Sequence, residues 1–198
     1  MTIEEIDNQV KNDPITKEEA RKQFVEKTEE LGIKHAYTFD EGWEIGEELK
    51  RRRECRNQLA ILSDAYMNSK DVLTGDELAK LNPVEHNFAD GCYIRQIYNV
   101  ANQLIVTKIH KKKHPFFLMM GEMSVLTEEG VEYLKAPYYG ITEPGTKRFI
   151  YTHTDCIFVT VHATENTDLE EIEKEVIAED YNDPDITLEE INLLKTKI

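Results

Sequence analysis

The chain has 198 residues, of which 40% are hydrophobic and 32% are charged, and its formal net charge is −15. This size and apolar content suit one large domain with additions, whereas so negative a chain repels phosphate backbones and excludes general nucleic-acid binding. No apolar run approaches the roughly 20 residues that a transmembrane helix needs, and the acidic N-terminus lacks signal-peptide features. We therefore expect a soluble intracellular protein without membrane partners.

Residues 1–81 are predicted to form a helical extension. A capping-box pattern at Thr16–Glu19 opens a first helix that ends at Gly32, because glycine readily adopts the left-handed conformation at a helix end. A longer helix is predicted over about 43–67, where apolar residues recur at helical spacing. A short third helix follows a second capping-box pattern at Thr74–Glu77.

Residues 82–164 have the pattern of an antiparallel β-domain. Short runs rich in β-branched and aromatic residues are separated by turn signals, as in small sandwiches and barrels. The clearest runs are Leu104–Thr107, Phe116–Met120, Met123–Leu126, Phe149–Tyr151 and Ile157–Val161. We predict an α+β chain with a single jelly-roll-like antiparallel β-barrel between helical N- and C-terminal extensions.

Residues 165–198 are predicted to form an acidic helical extension. Thr167–Glu170 has the capping-box pattern and precedes a helix, which Asn182–Pro184 interrupts. Thr187 then opens a final helix with an apolar stripe. That stripe must cover the barrel, the N-terminal helices or another subunit.

Basic and imidazole side chains are concentrated in the first strands of the predicted barrel. Lys108 and His110 are two residues apart and therefore share one face of a strand. His114 has the same parity if residues 111–113 stay extended. Imidazole is the commonest ligand of zinc, iron, nickel and copper, so this face predicts a site for an ion or a small ligand.

These side chains give the region a resemblance to the cupin family, whose fold is a small antiparallel barrel. The first cupin motif is His-x-His, then a carboxylate, then a glycine that opens the next strand. Anchored on Gly121, the resemblance assigns the first histidine position to Lys108, the second to His110 and the carboxylate position to His114. The second motif, Pro-x-Gly followed by a histidine, resembles the segment that ends at Arg148, which takes the histidine position.

Three hypotheses for this site follow. In the first, His110 and His114 recruit a third ligand, His162 or His153, and bind a divalent transition metal. In the second, a cationic pocket binds a carboxylate or phosphate, with a guanidinium as a bidentate clamp. The residues of that pocket are Lys108, His110, His114 and Arg148. In the third, the same side chains belong to a functionally silent barrel core.

The chain also resembles small cupin-like proteins encoded in tailed-phage genomes, over residues 82–180. The resemblance is carried by Asn82–Ala89, Lys108–His110, Pro144–Arg148 and Val159–Thr164. Lys112 stands where such relatives have a histidine, which weakens the metal hypothesis. The resemblance implies the fold and a viral origin, and with it a location in the host cytoplasm or the virion.

We therefore expect a non-enzymatic, phage-encoded accessory or virion-associated protein, with a degenerate metal site and a small anion as its ligand. The apolar stripes of the helical extensions suit self-association or docking to virion or host proteins. A first alternative is a metal-dependent enzyme, namely an oxygenase, isomerase or epimerase that uses the ion as a Lewis acid. A second alternative is an inhibitor of a host protein, because an acidic surface can mimic an acidic partner.

Overall fold

The computed structural model describes residues 15–32 and 38–186, which divide into two compact units between residues 51 and 52. The helices are α1 (Lys17–Leu31), α2 (Phe39–Met67), α3 (Gly75–Leu81) and α4 (Leu169–Val176). The strands are β1 (Val84–Ala89), β2 (Cys92–Asn99), β3 (Leu104–Val106), β4 (Ile109–His110), β5 (His114–Met120), β6 (Glu122–Thr127), β7 (Gly130–Lys135), β8 (Tyr138–Thr142), β9 (Phe149–Thr152), β10 (Cys156–Ala163) and β11 (Ile177–Ala178). None of the described helices combines the length and the apolar character needed to cross a membrane.

The first helix begins and ends as predicted. The Glu19 amide donates to the Thr16 hydroxyl oxygen, and the Thr16 amide donates to the Glu19 carboxylate. Gly32 closes α1 with a φ of 61°, which a glycine adopts without strain. The second helix begins at Phe39, earlier than predicted, and Thr38 before it forms the same reciprocal hydrogen bonds with Glu41 in its first turn.

Capping at the starts of the two shorter helices differs from the prediction, although Thr74 is the capping residue of α3 as predicted. The Thr74 side chain makes no capping hydrogen bond at the start of α3. At α4 the capping residue is Asp168, whose carboxylate accepts hydrogen bonds from the amides of Glu170 and Glu171, because a carboxylate suits the positive end of a helix. The helix predicted from Thr187 lies outside the described residues.

The strands pair antiparallel into three sheets. A five-stranded sheet has the order β1-β2-β10-β5-β8, a four-stranded sheet has the order β3-β9-β6-β7, and β11 pairs with β4. One buried apolar cluster contains side chains from both larger sheets, which therefore pack face to face. Its buried members are Phe116, Leu118, Met123, Val125, Leu134, Ile150, Cys156 and Phe158.

The α+β class is confirmed, and the described strands form separate antiparallel sheets that do not close into one barrel. The two larger sheets stay separate, with β1 and β8 at the edges of one and β3 and β7 at the edges of the other. Gly121, with a φ of 92°, carries the chain from β5 in one sheet directly to β6 in the other. The sheets therefore meet through side chains rather than through ladder hydrogen bonds. The jelly-roll-like arrangement and the boundaries at 81/82 and 164/165 stay predictions.

The inward face of the five-stranded sheet changes character along its strands. Residues that pair directly share a face, and the register aligns Phe158 with Ile97 and with Leu118. Two residues further along β10, Thr160 pairs with Arg95 on β2. One half of this face is therefore apolar and contributes to the core, while the other half is polar and holds the candidate site.

The elements after β10 contact this polar half. Ile172 and Val176 of α4 pack on Tyr93 of β2 in a second buried cluster. Ile177 of β11 then pairs with His110 of β4. The C-terminal part of the described chain thus helps to hold a strand that carries one of the candidate site residues.

Candidate metal centre

His114 and His162 lie side by side on neighbouring strands. Phe116 on β5 pairs with Thr160 on β10, so the same antiparallel register continued by two residues sets His114 opposite His162. Their ring centroids are 4.1 Å apart. The exposed fractions of the two residues are 2% and 4%, so both imidazoles are buried within the polar half of the sheet face.

His110 reaches the same place from a different sheet. It ends the short strand β4, and its carbonyl oxygen accepts a hydrogen bond of 2.7 Å from the Gly145 amide. Its ring centroid lies 4.5 Å from that of His114 and 5.8 Å from that of His162. One ring nitrogen from each histidine lies within 4.8 Å of the other two, a separation that one ion can bridge with small side-chain rotations.

Each of the three rings has one buried nitrogen without a hydrogen-bond partner among the described residues. These atoms are His110 Nδ1, His114 Nε2 and His162 Nδ1. His114 Nδ1 lies 3.0 Å from the Lys112 carbonyl oxygen and must carry the proton, because a carbonyl only accepts. The lone pair of neutral His114 is therefore on the unpartnered Nε2. His162 Nε2 lies 3.2 Å from the Thr160 hydroxyl oxygen, which can accept a hydrogen bond from a protonated Nε2, so that the lone pair is on Nδ1. Metal-binding histidines are oriented by such second hydrogen bonds.

All three imidazoles are held neutral. Burial, with smaller electrostatic contributions from the neighbouring His114 and Arg148, lowers the pKa of His110 to about 2. Burial likewise lowers the pKa of His114 to about 4 and that of His162 to about 3, with an added contribution to the latter from Arg95. A histidine binds a metal in its neutral form, so the environment keeps these ligands ready near neutral pH.

Two guanidinium groups accompany the histidines. Arg148 is 6% exposed, donates a hydrogen bond of 2.8 Å to Thr142 Oγ1 and lies 4.9 Å from the centroid of the Phe116 ring. Arg95 is half-buried on β2, where the register sets it opposite Thr160. Burial lowers the pKa of Arg148 to about 10, so both groups stay charged at neutral pH.

The structure gathers some of the predicted site residues and leaves others outside. Lys108 precedes strand β4, its side chain is 62% exposed, and its ammonium group pairs with Glu173. His153, the alternative third ligand, is exposed on the other sheet, where its Nε2 lies 2.8 Å from Ser124 Oγ. The predicted residues that come together are His110, His114, His162 and Arg148.

Two residues of β2 belong to the site without having been predicted. The first is Arg95, and the second is Tyr93, whose ring stacks 6.0 Å from that of His162. The Tyr93 hydroxyl lies 2.6 Å from His86 Nδ1. The alternation along β2 indicates that these side chains share one face, but only the pairing with β10 shows that this face is the inward one.

No protein-family model matches the chain, and no curated protein matches it. Solved structures that resemble it include a protein from Neisseria meningitidis, with 12% identity, coverage of 52% of this chain and 96% of that chain, and a TM-score of 0.36. A cupin superfamily protein from Desulfitobacterium hafniense has 7% identity and a TM-score of 0.37, and the match covers 42% of this chain and 78% of that chain. Ectoine synthase from P. lautus has 12% identity and a TM-score of 0.42, and the match covers 56% of this chain and 81% of that chain. All three TM-scores lie below 0.5, and nothing in these similarities indicates a phage origin.

Proposed function

We propose that the chain binds a divalent transition metal through His110, His114 and His162. The observation that carries this proposal is the group of three histidines that each have one buried ring nitrogen without a partner and each offer a ring nitrogen within 4.8 Å of the other two. Buried polar groups are normally hydrogen-bonded, because each unsatisfied one costs about 1–3 kcal/mol. A functionally silent core would not retain three of them in one place, whereas one bound ion satisfies all three.

The proposed ligand set is that of a reactive centre rather than of a purely structural one. Three protein ligands leave at least one coordination position for water or a small molecule, as in catalytic zinc sites. A bound ion would act there as a Lewis acid. The protein's part is to orient the rings, through the Lys112 carbonyl at His114 and the Thr160 hydroxyl at His162.

This arrangement favours the metal-dependent enzyme over a scaffold with a degenerate metal site. The choice among oxygenase, isomerase and epimerase stays a prediction. The phage-encoded accessory or virion-associated role, and inhibition of a host protein, rest on the sequence resemblance and on the net charge alone, and they also stay predictions.

A cobalt titration tests the proposed centre. The full chain is stripped with EDTA and titrated with Co²⁺ while the visible absorption spectrum is recorded. We expect one Co²⁺ per chain, and each of His110→Ala, His114→Ala and His162→Ala should weaken binding by more than the roughly 10- to 100-fold that loss of a ligand's hydrogen-bond partner typically costs. The matched control is His153→Ala, which removes an exposed histidine and should leave the titration unchanged. Unchanged Co²⁺ binding in the three site variants, or no binding by the unaltered chain, would contradict the proposal.

A further inference from the structure

Two guanidinium groups lie against the polar half of the five-stranded sheet and form no ion pair among the described residues: Arg95 on β2, and Arg148, which directly precedes β9 of the other large sheet. The buried Arg148 guanidinium contacts the Thr142 hydroxyl and the Phe116 ring, neither of which is charged. The half-buried Arg95 makes no side-chain hydrogen bond or salt bridge within residues 15–32 and 38–186. Charged side chains are seldom buried without a partner, because the interior cannot replace their hydration.

The acidic residue that acts on Arg95 does not fill this gap. Glu173 of α4 exerts an electrostatic effect on Arg95, but its carboxylate is bound to the Lys108 ammonium group at an exposed position. Geometry places both guanidinium groups beside the histidines: Arg148 contacts Thr142, which pairs with His114, and Arg95 pairs with Thr160 on the strand that carries His162. A divalent ion on the histidines would add two further positive charges. The site therefore has an excess of positive charge that a ligand must balance.

We propose that the site takes a small organic dianion with carboxylate or phosphate groups, held by Arg95 and Arg148 beside the three histidines. The position beside a metal rests on the proposed function, whereas the contacts with the two arginines do not. A planar guanidinium donates two parallel hydrogen bonds to a carboxylate or phosphate. Thr142 and Phe116 fix the Arg148 guanidinium and leave most of its five N–H groups for such a ligand. Arg95 comes from a different strand, so the two groups suit a molecule with two anionic ends.

The test is isothermal titration calorimetry on the full chain, both loaded with Zn²⁺ and treated with EDTA. The probes are malonate, inorganic phosphate and malonamide, which is a neutral analogue of malonate. We expect one or both anions to bind and malonamide not to bind, and the stronger anion distinguishes a carboxylate ligand from a phosphate ligand. Arg95→Gln and Arg148→Gln should each weaken anion binding by about tenfold or more.

Two further variants keep the test decisive. Arg148→Lys retains the buried positive charge, so this variant should fold. It lacks the planar group that donates two parallel hydrogen bonds, so it should bind the anion more weakly than the unaltered chain does. Arg53→Gln changes an exposed arginine of α2 and should bind the anion as the unaltered chain does. Equal binding of malonate and malonamide, binding of none of the probes, or full anion affinity in Arg95→Gln and Arg148→Lys would overturn the proposal.

The Zn²⁺ affinity of the same variants separates this proposal from the metal centre. A chain that binds Zn²⁺ but neither anion would refute the anion site and leave the metal centre standing. A chain that binds an anion through both arginines in EDTA, but does not bind Zn²⁺, would refute the metal centre and support the anion site.

Discussion

The imidazoles of His114 and His162 lie 4.1 Å apart, measured between ring centroids, on two adjacent antiparallel strands. Both are almost fully buried, and no carboxylate forms an ion pair with either among the described residues. In an ordinary core this pair is unfavourable, because each ring has a buried nitrogen without a partner. The pair should therefore lower stability in the metal-free protein and raise it once an ion is bound.

The substitution His162→Phe separates these two effects. It removes the unpartnered Nδ1 and keeps an aromatic ring against Tyr93, so the free energy of unfolding without metal should stay equal or rise by about 1 kcal/mol. The stabilisation by Zn²⁺ should disappear. Urea denaturation in EDTA and then in Zn²⁺ measures both, with His153→Phe as the exposed control. A loss of more than about 2 kcal/mol in EDTA would show that Nδ1 of His162 is satisfied in the apo protein, because the Nε2 contact with Thr160 alone accounts for only about 1 kcal/mol.

A second prediction concerns the C-terminal segment that holds His110. Ile186 is fully buried in a cluster with Ile109 and Ala178, next to the pairing of β11 with β4. Ile186→Ala should cost about 2–4 kcal/mol of stability. It should also weaken Co²⁺ binding, because Ile109 directly precedes a proposed ligand. Leu169→Ala, at a 43% exposed position of α4, is the control. Reduced stability with full Co²⁺ affinity would mean that this segment does not position His110.

The crossing between the two larger sheets depends on one glycine. A Cβ at Gly121 would lie 2.2 Å from the Asp155 carbonyl oxygen and 2.6 Å from Cys156 Sγ, and the φ there is 92°. Gly121→Ala should therefore destabilise by about 3 kcal/mol or more. Gly130 has a φ of 113° but no atom within 4 Å of such a Cβ, so Gly130→Ala should cost only about 1–2 kcal/mol of backbone strain. Equal urea midpoints for the two variants would contradict this packing.

The Glu175 carboxylate gives a pH-dependent contribution to stability. Hydrogen bonds from Lys112 and Thr164, with a further one from Asn166, lower its pKa from 4.5 to about 2. The unfolded chain then binds the proton more tightly than the folded chain does. The contribution is complete above pH 4.5 and is lost as the pH falls towards 2.

We expect Glu175→Gln to be less stable than the unaltered chain by about 1–2 kcal/mol at pH 7, a value reduced for partial exposure of the pair. The difference should shrink between pH 5 and pH 3 in urea denaturation. Glu179→Gln, at an exposed position with no side-chain hydrogen bond among the described residues, should show no such difference. A stability difference between Glu175→Gln and the unaltered chain that stays constant with pH would contradict the lowered pKa of Glu175.

Much of the strand pattern follows from alternation along the chain. The runs predicted at 116–120 and 157–161 became parts of β5 and β10, in which buried side chains alternate with less buried ones along the strand. Gly121 marks the turn between β5 and β6, since its positive φ and the close approach of Asp155 exclude a side chain. These features are local, and local patterns are what a single sequence reveals.

The site itself depends on pairings that are distant in the chain. Parity predicted Lys108 and His110 on one face, but β4 begins at Ile109, and a lysine ammonium is more stable in water beside Glu173. His110 and His114 meet although they lie in different sheets, because β4 pairs with β11 near the end of the described chain. No local signal indicates that pairing, nor the inward direction of Arg95.

Anomalous diffraction from crystals soaked in Zn²⁺ tests the central claim most directly, because it locates the ion rather than only detecting it. The account predicts one strong anomalous peak from a zinc ion about 2.0–2.1 Å from each of three nitrogens, His110 Nδ1, His114 Nε2 and His162 Nδ1. These are the buried ring nitrogens that lack hydrogen-bond partners among the described residues. Absence of a peak at these histidines, in crystals that bind Zn²⁺ elsewhere on the surface, would contradict it.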